Sequence, residues 1–190
     1  VRENREWKCK YEDVMKVIVE QIGDTIDLID QEQAENLVNA IRDAARIYLL
    51  GAGRSGFVAK GFAMRLMHLG FTTCVVGETT TPAISDKDLL ITISSSGEKK
   101  SLLEIVKMAR DVGVKIASIT SNPNSSLGKI SDLVMVIPKV PNGEEYGSLV
   151  PLGTFFEDTT LIFTDAIISE LMTILNKGEK DLKKRHTVLE

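Results

Sequence analysis

The sequence predicts an α/β domain: a doubly wound, five-stranded parallel sheet with helices on both faces and extra helices at its N-terminal end. Five short apolar runs recur along the chain, at 47–50, 73–76, 89–93, 115–120 and 133–137. Most are separated by segments whose apolar residues repeat at helical spacing. The runs are apolar throughout rather than alternating, as strands are when helices cover both faces of a sheet. At 190 residues the chain has the length of one such domain with a full core.

The elements follow in order. Val14, Val17, Ile18 and Ile22 mark one helix face within the first thirty residues, expected to fold as one helix or two. Leu37, Ile41 and Ala44 mark a second face that ends near Ala45. Ile47–Leu50 is the first strand, Gly51–Gly56 a glycine-rich turn, and Val58, Phe62, Leu66 and Leu69 the next helix face, closed by Gly70. Strands are expected at Thr73–Val76 and Leu89–Ile93, a helix at Ser101–Val112, a strand at Lys115–Thr120, a short helix at Ser125–Ile130 and a strand at Leu133–Ile137. Residues 138–152 read as a long loop, a length usually tied to function. The last helix, about Thr154–Asn176, is apolar nearly all round, which predicts the sheet on one side and another subunit on the other. Nothing divides the chain, so residues 1–30 are expected to be an N-terminal helical extension and 31–190 the main domain.

Composition narrows the function. A net charge of −4 argues against a nucleic-acid partner, which requires a basic face. It leaves room for a small anion, because a few N–H groups and hydroxyls hold one phosphate. The longest apolar stretch carries Asp165 and Glu170 and is too polar to span a bilayer, so no membrane partner is expected. The charged N-terminus has no apolar core, so no secretory leader is expected. Cys9 and Cys74 are far apart and fit two reduced thiols in a cytoplasmic protein.

Two turns carry the chemistry. Gly51-Ala52-Gly53-Arg54-Ser55-Gly56 joins the first strand to a helix, where glycines permit close backbone approach and the helix start offers unpaired N–H groups. Its G-x-G-x-x-G spacing also fits a dinucleotide site, and Glu78 stands where such a site needs an acid. The second turn, Ser94-Ser95-Ser96-Gly97-Glu98-Lys99-Lys100-Ser101, follows the third strand. An N-cap needs one hydroxyl; three consecutive serines and a glycine at a helix start make a phosphate cradle. A dinucleotide site has no use for this second turn.

The pairing of Gly51–Gly56 with Ser94–Glu98 resembles the SIS domain family of phosphosugar isomerases and phosphosugar-binding modules, whose flavodoxin-like fold is the sheet read above. The stretches Gly53–Gly70, Val76–Pro82, Pro151–Thr159 and Lys184–Glu190 resemble, more specifically, the 6-phospho-3-hexuloisomerase family. One departure is Lys99, at a place where the family usually carries Thr.

The resemblance implies isomerisation of D-arabino-3-hexulose 6-phosphate to fructose 6-phosphate through an enediol, with no metal or redox cofactor. The expected partner is a phosphosugar and the expected assembly a homotetramer. The residues expected to bind substrate and phosphate are Gly53, Arg54, Ser55, Ser94, Ser95, Ser96, Gly97, Glu98, Lys99 and Ser101. The resemblance places the catalytic base in Gly153–Thr159. Glu157 is the first choice, flanked by the desolvating Phe155 and Phe156, and Asp158 is the second. A helix first-turn acid is the competing reading of Glu157. His186 is expected to assist proton transfer, and in related isomerases such a histidine often comes from a neighbouring subunit. His68 reads as structural. Glu78 and Thr79–Thr81 are weaker candidates for sugar hydroxyls. Three alternatives stay open: an isomerase for another phosphosugar, a non-catalytic phosphosugar sensor, and a dinucleotide-binding protein.

Overall fold

The computed structural model describes residues 10–139 and 150–188. Its elements are α1 (Tyr11–Ile26), α2 (Gln31–Asp43), β1 (Ile47–Gly51), α3 (Arg54–Leu69), β2 (Thr73–Val75), β3 (Leu89–Ile93), α4 (Lys100–Val112), β4 (Lys115–Thr120), α5 (Ser126–Ile130), β5 (Leu133–Val136), α6 (Thr154–Ile174) and α7 (Glu179–Lys183). The five strands form one parallel sheet in the order β2-β1-β3-β4-β5. This is the predicted doubly wound fold. Chain order reverses between β1 and β3, so their connections leave on opposite faces and open a crevice at their carboxyl ends.

Strand pleating divides the core in two. Ile47, Leu49, Leu89, Ile91, Ile93, Ala117 and Ile119 face α2, α3 and α6. Tyr48, Leu50, Leu90 and Ile116 face α4, through Leu102, Val106 and Ala109, and Leu127 of α5. Helix α6 buries Phe156, Phe163, Ile167, Ile168 and Leu171 and leaves Leu161, Ile162 and Ile174 exposed. The first thirty residues contain the single described helix α1, which packs on α6. Asp30 then opens α2 by accepting from the Gln33 N–H (3.1 Å).

One local expectation needs correction, and two features were not foreseen. Helix α2 stops at Asp43 rather than near Ala45; Ala44 is already extended, and Ala45 N–H donates to the Lys87 carbonyl (3.0 Å). The charged tail forms α7, which lacks the apolar periodicity that announces a helix. Between β2 and β3 the chain crosses over without a helix, held instead by a half-buried ion pair. Most of the expected 138–152 loop, residues 140–149, lies outside the described residues, as does Cys9.

That ion pair anchors the amino end of the sheet. Arg46 donates to both carboxylate oxygens of Asp88 (3.0 and 2.7 Å) and to the Ala83 carbonyl (3.0 Å). Ser85 adds its backbone N–H and hydroxyl to the same carboxylate (2.7 and 2.9 Å). Burial pushes the Asp88 carboxyl up, but the hydrogen bonds from Arg46 and Ser85 outweigh it and hold the group below its usual range. A depressed folded-state value stabilises the fold above the unfolded value, near pH ~4, and that contribution is lost as pH falls through the folded value. Asp88→Ala is expected to cost about 2–3 kcal/mol in urea unfolding at pH 7, with the difference from wild type shrinking below pH ~4.

Candidate functional site

The two chemically suggestive turns end adjacent strands. Gly51 of β1 is the register partner of Ile93 of β3, so the turn beyond each opens into the same crevice. Helices α3 and α4 start there, and neither has a side-chain cap: the N-cap positions are Gly53 and Lys99. Helices α2 and α5 are instead capped by Asp30 and Ser125. Two uncapped helix starts side by side direct N–H groups and positive dipole ends at one place.

The serine turn is arranged to donate. Ser94 Oγ accepts from the Gly97 N–H (3.3 Å) and Ser96 Oγ from the Glu98 N–H (3.3 Å). Each hydroxyl satisfies the turn with its lone pairs and keeps its O–H for a ligand. Ser95 is fixed from behind, its carbonyl accepting from the Thr120 hydroxyl (3.0 Å) and the Ser121 N–H (3.1 Å). Gly97 has a φ of 66°, and a Cβ there would collide with the Ser125 side chain. Lys99 and Ser101 are exposed at the α4 start.

Against the start of α3, the first residues of α6 supply a carboxylate. Glu157 is 8% exposed. Its Oε1 accepts from Ser55 Oγ (2.8 Å), and its Oε2 is buried with no hydrogen-bond partner. Arg54 Nε lies 3.6 Å from Oε2, an ion pair beyond hydrogen-bond length, while Arg54 Nη2 donates to Asp158 (3.1 Å). Gly153, the α6 N-cap at φ 88°, makes room for this carboxylate; a Cβ would press on Oε2. The result is a desolvated carboxylate with one oxygen fixed, the other unsaturated and a guanidinium beside it, a geometry suited to exchanging a proton with carbon.

The structure gives several of the expected residues partners within the chain. Ser55 was expected at the ligand, but its hydroxyl is given to Glu157. Glu98 was expected at the substrate, but both its oxygens are taken by Ser126 (2.8 and 2.7 Å). Glu78 pairs with Lys60 (2.6 Å) at the surface, and Thr81 donates to the Val75 carbonyl (2.6 Å). His186 is not brought to Glu157 in its own chain. It stacks on His68, ring centroids 5.2 Å apart, near the C-terminal end of α3. Arg54 and Ser55 open that helix, so roughly 20 Å of it separates the two places. Sequence reasoning did not anticipate Ser126 or the bond between Ser55 and Glu157, because both contacts join segments distant along the chain. Among the described residues, no group of three His, Cys, Asp or Glu side chains could hold a metal ion, and no helix is long and apolar enough to cross a membrane.

Comparison with known proteins fits this geometry. The SIS domain family matches residues 40–163. A 3-hexulose-6-phosphate isomerase of Bacillus subtilis is 39% identical, covering 91% of this chain and 95% of its own length. The 3-hexulose-6-phosphate isomerase of Methanocaldococcus jannaschii is 40% identical over 82% of this chain and 83% of its own. A crystal structure from Methanococcus jannaschii, for which the function of 3-hexulose-6-phosphate isomerase was inferred, superposes with a TM-score of 0.84 at 36% identity, covering 93% of this chain and 98% of that one. Two turns at a parallel-sheet switch point, a buried carboxylate held at the start of α3 and these relatives lead to one assignment: the chain belongs to the SIS domain family and, within it, to the 3-hexulose-6-phosphate isomerases.

Proposed function

We propose that this chain isomerises D-arabino-3-hexulose 6-phosphate to fructose 6-phosphate, with Glu157 as the proton-transferring base and the Ser94–Gly97 turn as the phosphate site. The observation that carries the proposal is the asymmetry of the Glu157 carboxylate, one oxygen held by Ser55 and the other buried without a hydrogen-bond partner. The carbonyl moves from C3 to C2. Oε2 takes the proton from C2, the electrons form the 2,3-enediolate, a proton passes from the oxygen on C2 to the oxygen on C3, and the same carboxylate returns its proton to C3 as the C2 carbonyl forms. Ser55 fixes the carboxylate's orientation, and Arg54 offers positive charge to the enediolate oxygens. The phosphate lies against the O–H groups of Ser94 and Ser96 and the uncapped start of α4, with Ser95, Lys99 and Ser101 at its margin and Gly53 lining the turn opposite.

His186 belongs to this mechanism only across a subunit boundary. Assembly, as a homotetramer, is supported by apolar side chains left bare in the single chain: Tyr11, Met15 and Val19 on α1, Phe57 and Met64 on α3, Leu161 and Ile162 on α6. A groove of about 600 Å³ between α2 and α6, lined by Ile29, Val38, Ile162 and Ile167 among others, continues that surface. We place the protein in the cytoplasm, where phosphorylated sugars are made and retained.

A coupled assay tests the proposal: D-arabino-3-hexulose 6-phosphate is generated in situ and fructose 6-phosphate formation is followed. Wild type is expected to convert it. Glu157→Gln is expected to lose about 10²–10⁴-fold in kcat while still binding phosphosugar; a wild-type rate would remove Glu157 from the mechanism. Ser96→Ala is expected mainly to raise KM, by the equivalent of about 1.5–3 kcal/mol for a charge-assisted hydrogen bond. An unchanged KM would place the phosphate elsewhere.

A further inference from the structure

We propose that Glu98 is a positioning residue: with Ser126 it clamps the serine turn to the start of α5, and this clamp sets the turn's affinity for phosphate. The inference rests on the reading of Ser94–Gly97 as the phosphate site and adds how that site is kept in shape.

The turn is a short loop that must present two hydroxyls and a row of N–H groups in fixed directions. Flexible donors pay ordering entropy when an anion binds, whereas donors already fixed do not. No side chain caps α4, whose start the turn forms, so the bracing comes from another element. That element is the segment between β4 and α5. Its backbone reaches the turn twice, through the Ser121 N–H on the Ser95 carbonyl (3.1 Å) and the Leu127 N–H on the Gly97 carbonyl (3.0 Å). Gly97 packs so closely on Ser125 that a methyl group would not fit between them.

Glu98 adds the one charged link. Its Oε1 accepts from the Ser126 backbone N–H (2.8 Å) and its Oε2 from the Ser126 hydroxyl (2.7 Å). Ser126 is the first residue of α5, so the carboxylate also meets that helix's positive end. Lys129 on α5 adds a favourable charge, and these bonds hold the Glu98 carboxyl below its usual range. Both oxygens are therefore spent on α5. The same residue's backbone N–H is bonded to Ser96 Oγ, so the clamp and a phosphate-facing hydroxyl meet in one residue. Because the carboxylate faces Ser126, its loss is expected to loosen binding without touching proton transfer.

The test compares Glu98→Gln, Ser126→Ala and the double variant, by steady-state kinetics and by titration of inorganic phosphate followed by calorimetry. Glu98→Gln and Ser126→Ala are each expected to raise KM and the phosphate Kd together, about threefold to tenfold, with kcat within about twofold. The double variant is expected to do little more than the worse single one, because both remove the same link. The phosphate titration needs no turnover. If wild type binds phosphate but isomerises nothing, the proposed function fails and the clamp is still tested. An unchanged phosphate Kd in both single variants would overturn the clamp. A raised KM in Glu98→Gln with wild-type values in Ser126→Ala would also overturn it, in favour of direct contact between Glu98 and the ligand. A fall in kcat alone would do the same, in favour of a catalytic role. If Glu98→Gln does not fold, Ser126→Ala decides alone, since it removes one hydroxyl and leaves the carboxylate.

Discussion

The parallel pairing of β1 with β3 is the constraint on which the rest depends. Chain order reverses there, and no helix can cross the carboxyl ends of both strands at once. Register sets Gly51 beside Ile93, so the turns after both strands emerge at the same height. Each turn leads directly into a helix that has no side-chain cap. In a core element such uncapped starts would leave orphan donors to be satisfied elsewhere. At the mouth of a crevice they suit the proposed anion site, made of backbone that cannot be titrated away. The net charge of −4 does not oppose this, because the field that matters is local and fixed by the helices.

The carboxylate is the second half of the problem, since in the proposed mechanism a buried acid would be repelled by an anionic ligand. Three features make the placement tenable. Arg54 lies between Glu157 and Asp158 and supplies charge to both. Ser55 satisfies one oxygen of Glu157, so that only the other is left without a hydrogen bond. Gly153 removes the side chain that would otherwise displace that oxygen. Buried polar atoms without partners are uncommon in folded proteins, and Glu157 Oε2 is one of the few among the described residues.

The fold was readable because its signals are local. Apolar runs of strand length and helical periodicity identify every strand and the helices α1–α6, and the order of turns and strands places both phosphate-type motifs at the same end of the sheet. What could not be read joins residues far apart along the chain. The Ser55 hydroxyl meets a carboxylate 102 residues away, and the sequence alone favoured a ligand for it. Glu98 meets Ser126 across 28 residues, and neither residue is part of a pattern that betrays the other. The stacking of His186 on His68 draws the tail to the wrong end of α3 for catalysis within the chain, which no periodicity reveals. Helix α7 is five residues long and mostly charged, so it carries no amphipathic signal.

The central claim is geometric, and a crystal structure with fructose 6-phosphate bound tests it most directly. The account predicts the phosphate group against Ser94 and Ser96 at the start of α4, and C2 and C3 of the sugar within reach of Glu157 Oε2. A phosphate seated at the Gly51–Gly56 turn instead, or a sugar whose C2 and C3 lie far from Glu157, would contradict it.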